Sequence, residues 1–124
     1  MKLVVDSLAF AKRYVQEDGS EVIDLILQHA SDLALCSILV FEIIAGLTRR
    51  LRERFLSAND YRKVKRQLLE DVRDAAVLQV TLAVISQSVK LLENNVLRAM
   101  DVFHVACALE CQADLFVTAE IEGS

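Results

Sequence analysis

Proline and tryptophan are absent from these 124 residues, glycine occurs three times, and aromatic residues make up only 6%. So little glycine and no proline exclude a collagen-like chain. Gly19, Gly46 and Gly123 are too scattered to build a glycine-rich phosphate loop. Cysteine is scarce as well. Cys36, Cys107 and Cys111 make an odd number in a chain without export features, so no disulfide framework is expected and a reducing, cytoplasmic setting is. No Cys-x-x-Cys pair is present, which argues against redox catalysis, and no Gly-x-Ser-x-Gly supports a serine hydrolase. Long apolar runs are also missing. The longest stretch without a charge, residues 75–89, contains Gln79, Thr81, Ser86, Gln87 and Ser88 and is too short and too polar to span a membrane. Only Leu3, Val4 and Val5 precede Asp6, too little for a secretory signal.

What is present is a 54% apolar content with 26% charged residues, the composition of a compact globular chain and not of a disordered one. The length suits one domain over residues 1–124 with an ordinary core. The net charge of −4 hides an uneven distribution. Residues 49–66 hold eight basic side chains (Arg49, Arg50, Arg52, Arg54, Arg62, Lys63, Lys65 and Arg66) against Glu53 and Asp60, a local plus six. The remainder is minus ten. A charge run of this kind is most often a solvated helical surface; the sharper alternative is a surface for phosphates or for an acidic partner.

Apolar runs rich in β-branched residues predict buried strands over 2–6, 33–38, 77–80 and 115–118. Helices are predicted over 8–15, 21–30, 40–55, from Asp60 through Val72, over 82–93 and over 101–111. Ser20 is the expected N-cap of the second helix, with Val22, Leu25, Ile26 and His29 on one face. Ile44, Leu47, Leu51 and Phe55 form the stripe of the third. Ser57 and Asp60 have capping-box spacing, and Tyr61, Val64, Leu68 and Val72 continue as the next stripe, so the third and fourth helices make a hairpin. Val102, Val105, Ala106 and Leu109 are the apolar positions of the last helix. Strands alternating with helices give an α/β fold with a mainly parallel sheet, flanked by helices, whose site lies at the carboxyl ends of the strands.

That rule singles out four acids. Asp6 ends the first strand, Glu42 sits early in the third helix, Asp101 opens the last helix, and Glu120 follows the last strand. Each alone reads as a helix cap, a dipole partner or a solvated tail residue. Together they recur at the same end of strand–helix units, where carboxylates in one crevice repel unless a cation is bound. Hard oxygen ligands of this kind suit Mg²⁺ or Mn²⁺. His104, Cys107 and Cys111 share a helix at metal-ligand spacing, but no fourth ligand is evident, and core packing is the stronger reading.

Four blocks carry a family resemblance. They are Val4-Val-Asp6-Ser7-Leu-Ala-Phe-Ala-Lys-Arg-Tyr-Val15, Ser37-Ile-Leu-Val-Phe-Glu42-Ile-Ile-Ala-Gly-Leu-Thr-Arg-Arg50, Leu97-Arg-Ala-Met-Asp101-Val-Phe-His-Val-Ala-Cys-Ala-Leu109 and Ala113-Asp-Leu-Phe-Val-Thr-Ala-Glu120. In this order, over nearly the whole chain, they resemble the PIN domain, and within it the VapC-like ribonuclease toxins of toxin–antitoxin pairs. The resemblance implies a three-layer PIN-like fold and a metal-dependent endoribonuclease. Asp6, Glu42 and Asp101 would be metal ligands, and Glu120 would stand where the family usually has Asp. Ser7 and Thr118 fall on hydroxyl positions beside that site, and His104 on a His position packing or bonding near its entrance. RNA is the implied substrate, a protein antitoxin the implied partner, and a homodimer the implied assembly. Arg49, Arg50, Arg54, Lys63 and Arg66 are candidates to contact RNA phosphates or the antitoxin. Three departures count toward a catalytically degenerate interaction module. Glu120 is one methylene too long for a cation that tolerates little geometric error. Leu8 replaces a common polar residue, and the chain ends at Ser124 where relatives usually continue into another strand. A plain helical adaptor, binding an acidic partner through the plus-six hairpin without metal, is the third class.

Overall fold

The computed structural model describes residues 1–119; Glu120, and with it one of the four acids, lies outside the described residues. Four strands and six helices follow one another as β1 (Lys2–Val5), α1 (Ser7–Ala11), α2 (Ser20–Gln28), β2 (Asp32–Cys36), α3 (Leu39–Arg52), α4 (Ala58–Arg73), β3 (Ala76–Leu78), α5 (Leu82–Asn94), α6 (Ala99–Glu110) and β4 (Leu115–Val117). The strands form one sheet in the order β3-β2-β1-β4, and every pairing is parallel. Leu3 pairs with Leu33 on one side and with Leu115 on the other, which makes β1 a central strand. Its Leu3, Val4 and Val5 are fully buried, as a strand covered on both faces requires.

Alternation along β1 divides the core. Leu3 and Val5 face Phe10, Ile23, Leu35, Leu39, Ile43, Leu47 and Leu68, contributed largely by α1 to α4. Val4, one residue out of phase, faces Ala34 and Ala108 on the side of α6. A third cluster, Cys36, Val84, Ala106 and Cys107, joins α5 and α6 to the end of β2. Helices thus cover both faces of the sheet, the three-layer arrangement expected of the sequence.

The hairpin of α3 and α4 forms as predicted, with Ser57 Oγ accepting from the Asp60 N–H at 3.0 Å and Leu68 fully buried. Tyr61, Val64 and Val72 pack beside Leu68. Just past the end of α1, Tyr14 donates to Asp71 of α4 at 2.5 Å and Arg13 pairs with it at 3.2 Å, tying the two segments together.

Three details differ from the sequence reading. Gly19, at φ +91°, takes the N-cap position of α2 and turns the chain by a conformation that suits glycine. Ser20 lies inside the helix, its Oγ accepting from the Glu17 N–H at 3.0 Å. The face that α2 buries carries Ile23, backed by Ile26 and Leu27, and Val22 and Leu25 are exposed. Phe55 falls beyond the end of α3, after Arg54 at φ +64°, and is 76% exposed; Leu47 of the expected stripe is buried and Ile44 packs beside it, with Leu39 and Ile43 completing the buried face. In α6 the packing helix is nearly buried all round, so His104, Cys107 and Ala108 are interior while Leu109 is half exposed.

Candidate active site

Asp6 follows β1 directly, and its N–H donates to Val117 O of β4 at 3.0 Å, so it sits at the carboxyl edge of the two strands. Its Oδ1 caps α1 by accepting from the Ala9 N–H at 2.9 Å. The residue is 8% exposed, and Oδ2 has no hydrogen bond among the described residues. The capping role foreseen for Asp6 and its place at the strand end therefore coexist in one side chain.

Glu42 lies in the first turn of α3 and Asp101 in the first turn of α6, both placed by strand-to-helix connections at the same edge of the sheet. Asp6, Glu42 and Asp101 line one cleft of about 510 Å³. Ser7, Leu8, Tyr14, Arg49, Arg50 and Arg98 line it as well. Carboxylates, Glu17 among them, and guanidinium groups together give one depression two signs of charge. Arg54 is exposed in the turn after α3, and Lys63 and Arg66 are exposed on α4 beside Gln67 and Glu70, away from this cleft. Thr118 follows β4 directly at the same edge of the sheet.

Glu42 is held by two residues. Ser7 Oγ donates to its Oε1 at 2.5 Å, and His104 Nε2 reaches the same oxygen at 2.6 Å. His104 Nε2 also lies 3.0 Å from Ser7 Oγ. Because Ser7 spends its only proton on Glu42, the contact with His104 requires a proton on Nε2. Burial works hardest against charge on His104. The Glu42 hydrogen bond and the charges of Glu42, Cys36 and Asp6 outweigh it and hold the imidazole above its ordinary pKa. Glu42 shows the mirror image: burial raises its carboxyl, but hydrogen bonds from His104 and Ser7 and the imidazolium charge hold it below the usual value.

The same geometry disposes of a serine-hydrolase reading. A relay needs the acid on one imidazole nitrogen and the hydroxyl on the other. Here both engage Nε2, and Nδ1 is buried without a partner among the described residues. His104 is likewise committed away from Cys107 and Cys111. Cys107 packs in the α5–α6 core, and Cys111 Sγ contacts Ala108 O at 3.6 Å.

A family model described as the PIN domain matches residues 3–121. The chain belongs to the PIN domain family. Solved structures with the same fold include VapC20 of Mycobacterium tuberculosis, a sarcin–ricin loop cleaving toxin, at a TM-score of 0.73 and 13% identity, covering 97% of this chain and 91% of that one. A toxin–antitoxin complex from Klebsiella pneumoniae superposes at 0.70 with 11% identity, over 93% and 84% of the two chains. VapBC2 of Rickettsia felis, bound to a DNA fragment from its promoter, superposes at 0.67 with 10% identity, over 97% and 100%. No curated protein sequence matches the chain.

PIN-domain nucleases generally use divalent metal ions, so the donor set is the point to test. Its chemistry fits: three carboxylates line one cleft, and each of Asp6 and Glu42 keeps one oxygen clear of hydrogen bonds among the described residues. Among the described residues, no three His, Cys, Asp or Glu side chains stand as a ready-made cage for one ion. Mg²⁺ does not need such a cage, because it is commonly bound through one or two carboxylates with water and phosphate oxygens completing the shell.

The three described acids and Ser7 all line this cleft. Arg98 and Tyr14 line it without having been singled out from the sequence, which also offers no partner for His104. Arg98 was within reach of a sequence reading, since it precedes Asp101 by three residues at the start of the same helix.

Proposed function

We propose that this PIN domain is an Mg²⁺- or Mn²⁺-dependent endoribonuclease, the toxin of a pair whose antitoxin is a protein. The observation that carries the proposal is the meeting of Asp6, Glu42 and Asp101 with Arg49, Arg50 and Arg98 in one cleft. Acids alone would repel a polyanion, and arginines alone would bind it without chemistry. Side by side they suit a phosphodiester held over a divalent cation.

Asp6, Glu42 and Asp101 would hold the ion, with Glu120 as a further ligand. A bound divalent ion supplies charge to offset the scissile phosphate and lowers the pKa of water. The chain's own residues do the rest. Arg49, Arg50 and Arg98 orient phosphate oxygens, with arginine's planar fork matched to that task. A carboxylate oxygen without a hydrogen bond, such as Asp6 Oδ2, accepts the proton of the attacking water. Ser7 and Thr118 support the edge on which the acids stand. The exposed Arg54, Lys63 and Arg66 extend the basic surface toward RNA farther from the cut or toward the antitoxin.

Homodimerisation is part of the proposal. Leu82, Ile85, Val89 and Leu92 recur at helical spacing along α5 and are 85%, 43%, 49% and 40% exposed, an apolar stripe suited to a second copy. A cytoplasmic setting is proposed with it; among the described residues, no helix is long and apolar enough to cross a membrane.

A second reading has its own observation. Glu42 is already engaged by Ser7 and His104, and the described acids form no ready cage, which is how a catalytically degenerate module would look. RNA cleavage separates the two. The nuclease cuts RNA with Mn²⁺ present, stops with chelator, and loses cleavage by about a thousandfold in Asp101→Asn with its circular dichroism unchanged. A degenerate module gives no metal-dependent cleavage in either form and still captures its protein partner.

A further inference from the structure

His104 is 1% exposed, in the second turn of α6. Its ring stands between the α5–α6 core, which holds Cys36, Ala106 and Cys107, and the cleft acids. A buried imidazole is costly unless hydrogen bonds compensate it. This one is only half compensated, since Nδ1 has no partner among the described residues while Nε2 serves both Ser7 and Glu42. Were the ring there only to fill space, a leucine would fill it without an orphaned nitrogen. Its polar engagement runs through Nε2, to Glu42 and to the Ser7 hydroxyl that also holds Glu42.

That engagement is selective at the level of atoms. Ser7 from α1 and His104 from α6 both bind Oε1 of Glu42 from α3, and they contact each other at 3.0 Å. Three helices therefore fix one carboxylate oxygen in a closed triangle. Oε2 receives no hydrogen bond among the described residues, although Glu42 lines the cleft. A free glutamate in the first turn of a helix would sample several rotamers; this one has lost that freedom. Helix α6 carries Arg98 at its N-cap, Asp101 in its first turn and His104 in its second, so one rigid element sets the spacing of an arginine, an acid and the group that aims another acid.

We propose that His104 is a positioning residue that, with Ser7, pins Oε1 of Glu42 and presents Oε2 to a divalent cation in the cleft. The inference rests on the nuclease reading and assigns Glu42 a one-oxygen role within it. Partners of this kind, one step removed from the ligands, commonly govern metal affinity.

The test is Mn²⁺ calorimetry on the full chain and on His104→Leu and His104→Gln, each first shown to be folded by circular dichroism. The Leu variant loses the donor and should bind Mn²⁺ about 10- to 100-fold more weakly. The Gln variant keeps an N–H to offer Oε1 and should recover most of that affinity. In cleavage assays the Leu variant should lose kcat while KM for RNA holds, because the arginines are untouched. A folded Leu variant that binds Mn²⁺ as the parent does overturns the proposal and leaves the nuclease reading standing. Equal weakness in Leu and Gln also overturns it, since packing and not the hydrogen bond would then be at work. A parent chain that binds no Mn²⁺ removes the nuclease reading and this inference with it. Should His104→Leu fail to fold, the ¹⁵N resonance of His104 Nε2 in the parent chain decides. It should move on addition of Mg²⁺ and stay still in Asp6→Asn/Asp101→Asn; an unmoved resonance in the parent overturns the proposal.

Discussion

The cleft and the α3–α4 hairpin hold most of this chain's functional charge, and they hold it in opposite ways. In the cleft, Asp6 and His104 are buried, Glu42 is half-buried, and short hydrogen bonds join residues from α1, α3 and α6. On the hairpin, Arg54, Lys63 and Arg66 are exposed to solvent. Buried charges act as a unit, because each sets the geometry and protonation of the next. Exposed charges add up independently and are screened by salt. The cleft should therefore respond to single substitutions sharply, and the hairpin gradually. Arg49 and Arg50, late in α3, belong to both regions: they line the cleft, yet they are exposed to solvent like the hairpin's other cations.

The largest expected effect on stability comes from cutting the two regions apart. Leu68 is the fully buried residue through which α4 joins the core beneath the sheet. Leu68→Ala should cost about 3 kcal/mol, read by urea unfolding. A loss below about 1 kcal/mol would show that the hairpin is held mainly by polar ties such as Tyr14–Asp71.

A pH series without metal probes the cleft alone. The raised His104 pKa contributes stability that is full below the ordinary histidine value and fades as pH rises through the folded one. The depressed Glu42 pKa contributes stability that is full above the ordinary carboxyl value and fades as pH falls through the folded one. The pair is thus strongest between the two ordinary values, in mildly acidic solution, and His104→Gln should flatten the alkaline side of that maximum. Thermal unfolding from pH 4 to 9 measures this; an unchanged profile in the variant would break the assigned coupling.

The smallest effects belong to the hairpin. Lys63→Ala/Arg66→Ala should weaken RNA binding modestly and reduce its log–log salt slope by about 1 to 2, leaving cleavage of bound RNA at its parent rate. A change in that rate would place these side chains in the chemistry and erase the distinction between the two regions.

The contrast also explains what the sequence made legible. Each strand is a short apolar run, and each of the longer helices has an apolar stripe, so all four strands and the order of all six helices could be read from period and punctuation. The acids could be read because a carboxylate at the end of a buried strand is chemically out of place. Which side of a helix docks was less legible. In α2 the side carrying Ile23 and Leu27 turns to the core, and Val22 and Leu25 stay exposed, a choice made by the neighbouring elements and not by the helix's own period. Phe55 fits the α3 stripe only if the helix runs on past Arg54, where the backbone turns left-handed. The triangle of Ser7, Glu42 and His104 joins positions 35 and 62 residues apart and has no local signature; only the fold brings them together. Glu120 stands as the sequence left it, a proposed ligand outside the described residues.

The central claim is that the acids of the cleft bind a divalent cation, and Mn²⁺ calorimetry on the parent chain against Asp6→Asn/Asp101→Asn tests it most directly. Asparagine can still cap α1 at position 6, so the double variant should stay folded. The account predicts stoichiometric binding by the parent and none by the variant. A folded parent that takes up no Mn²⁺ at millimolar concentration, or a variant that binds it equally well, would contradict the account.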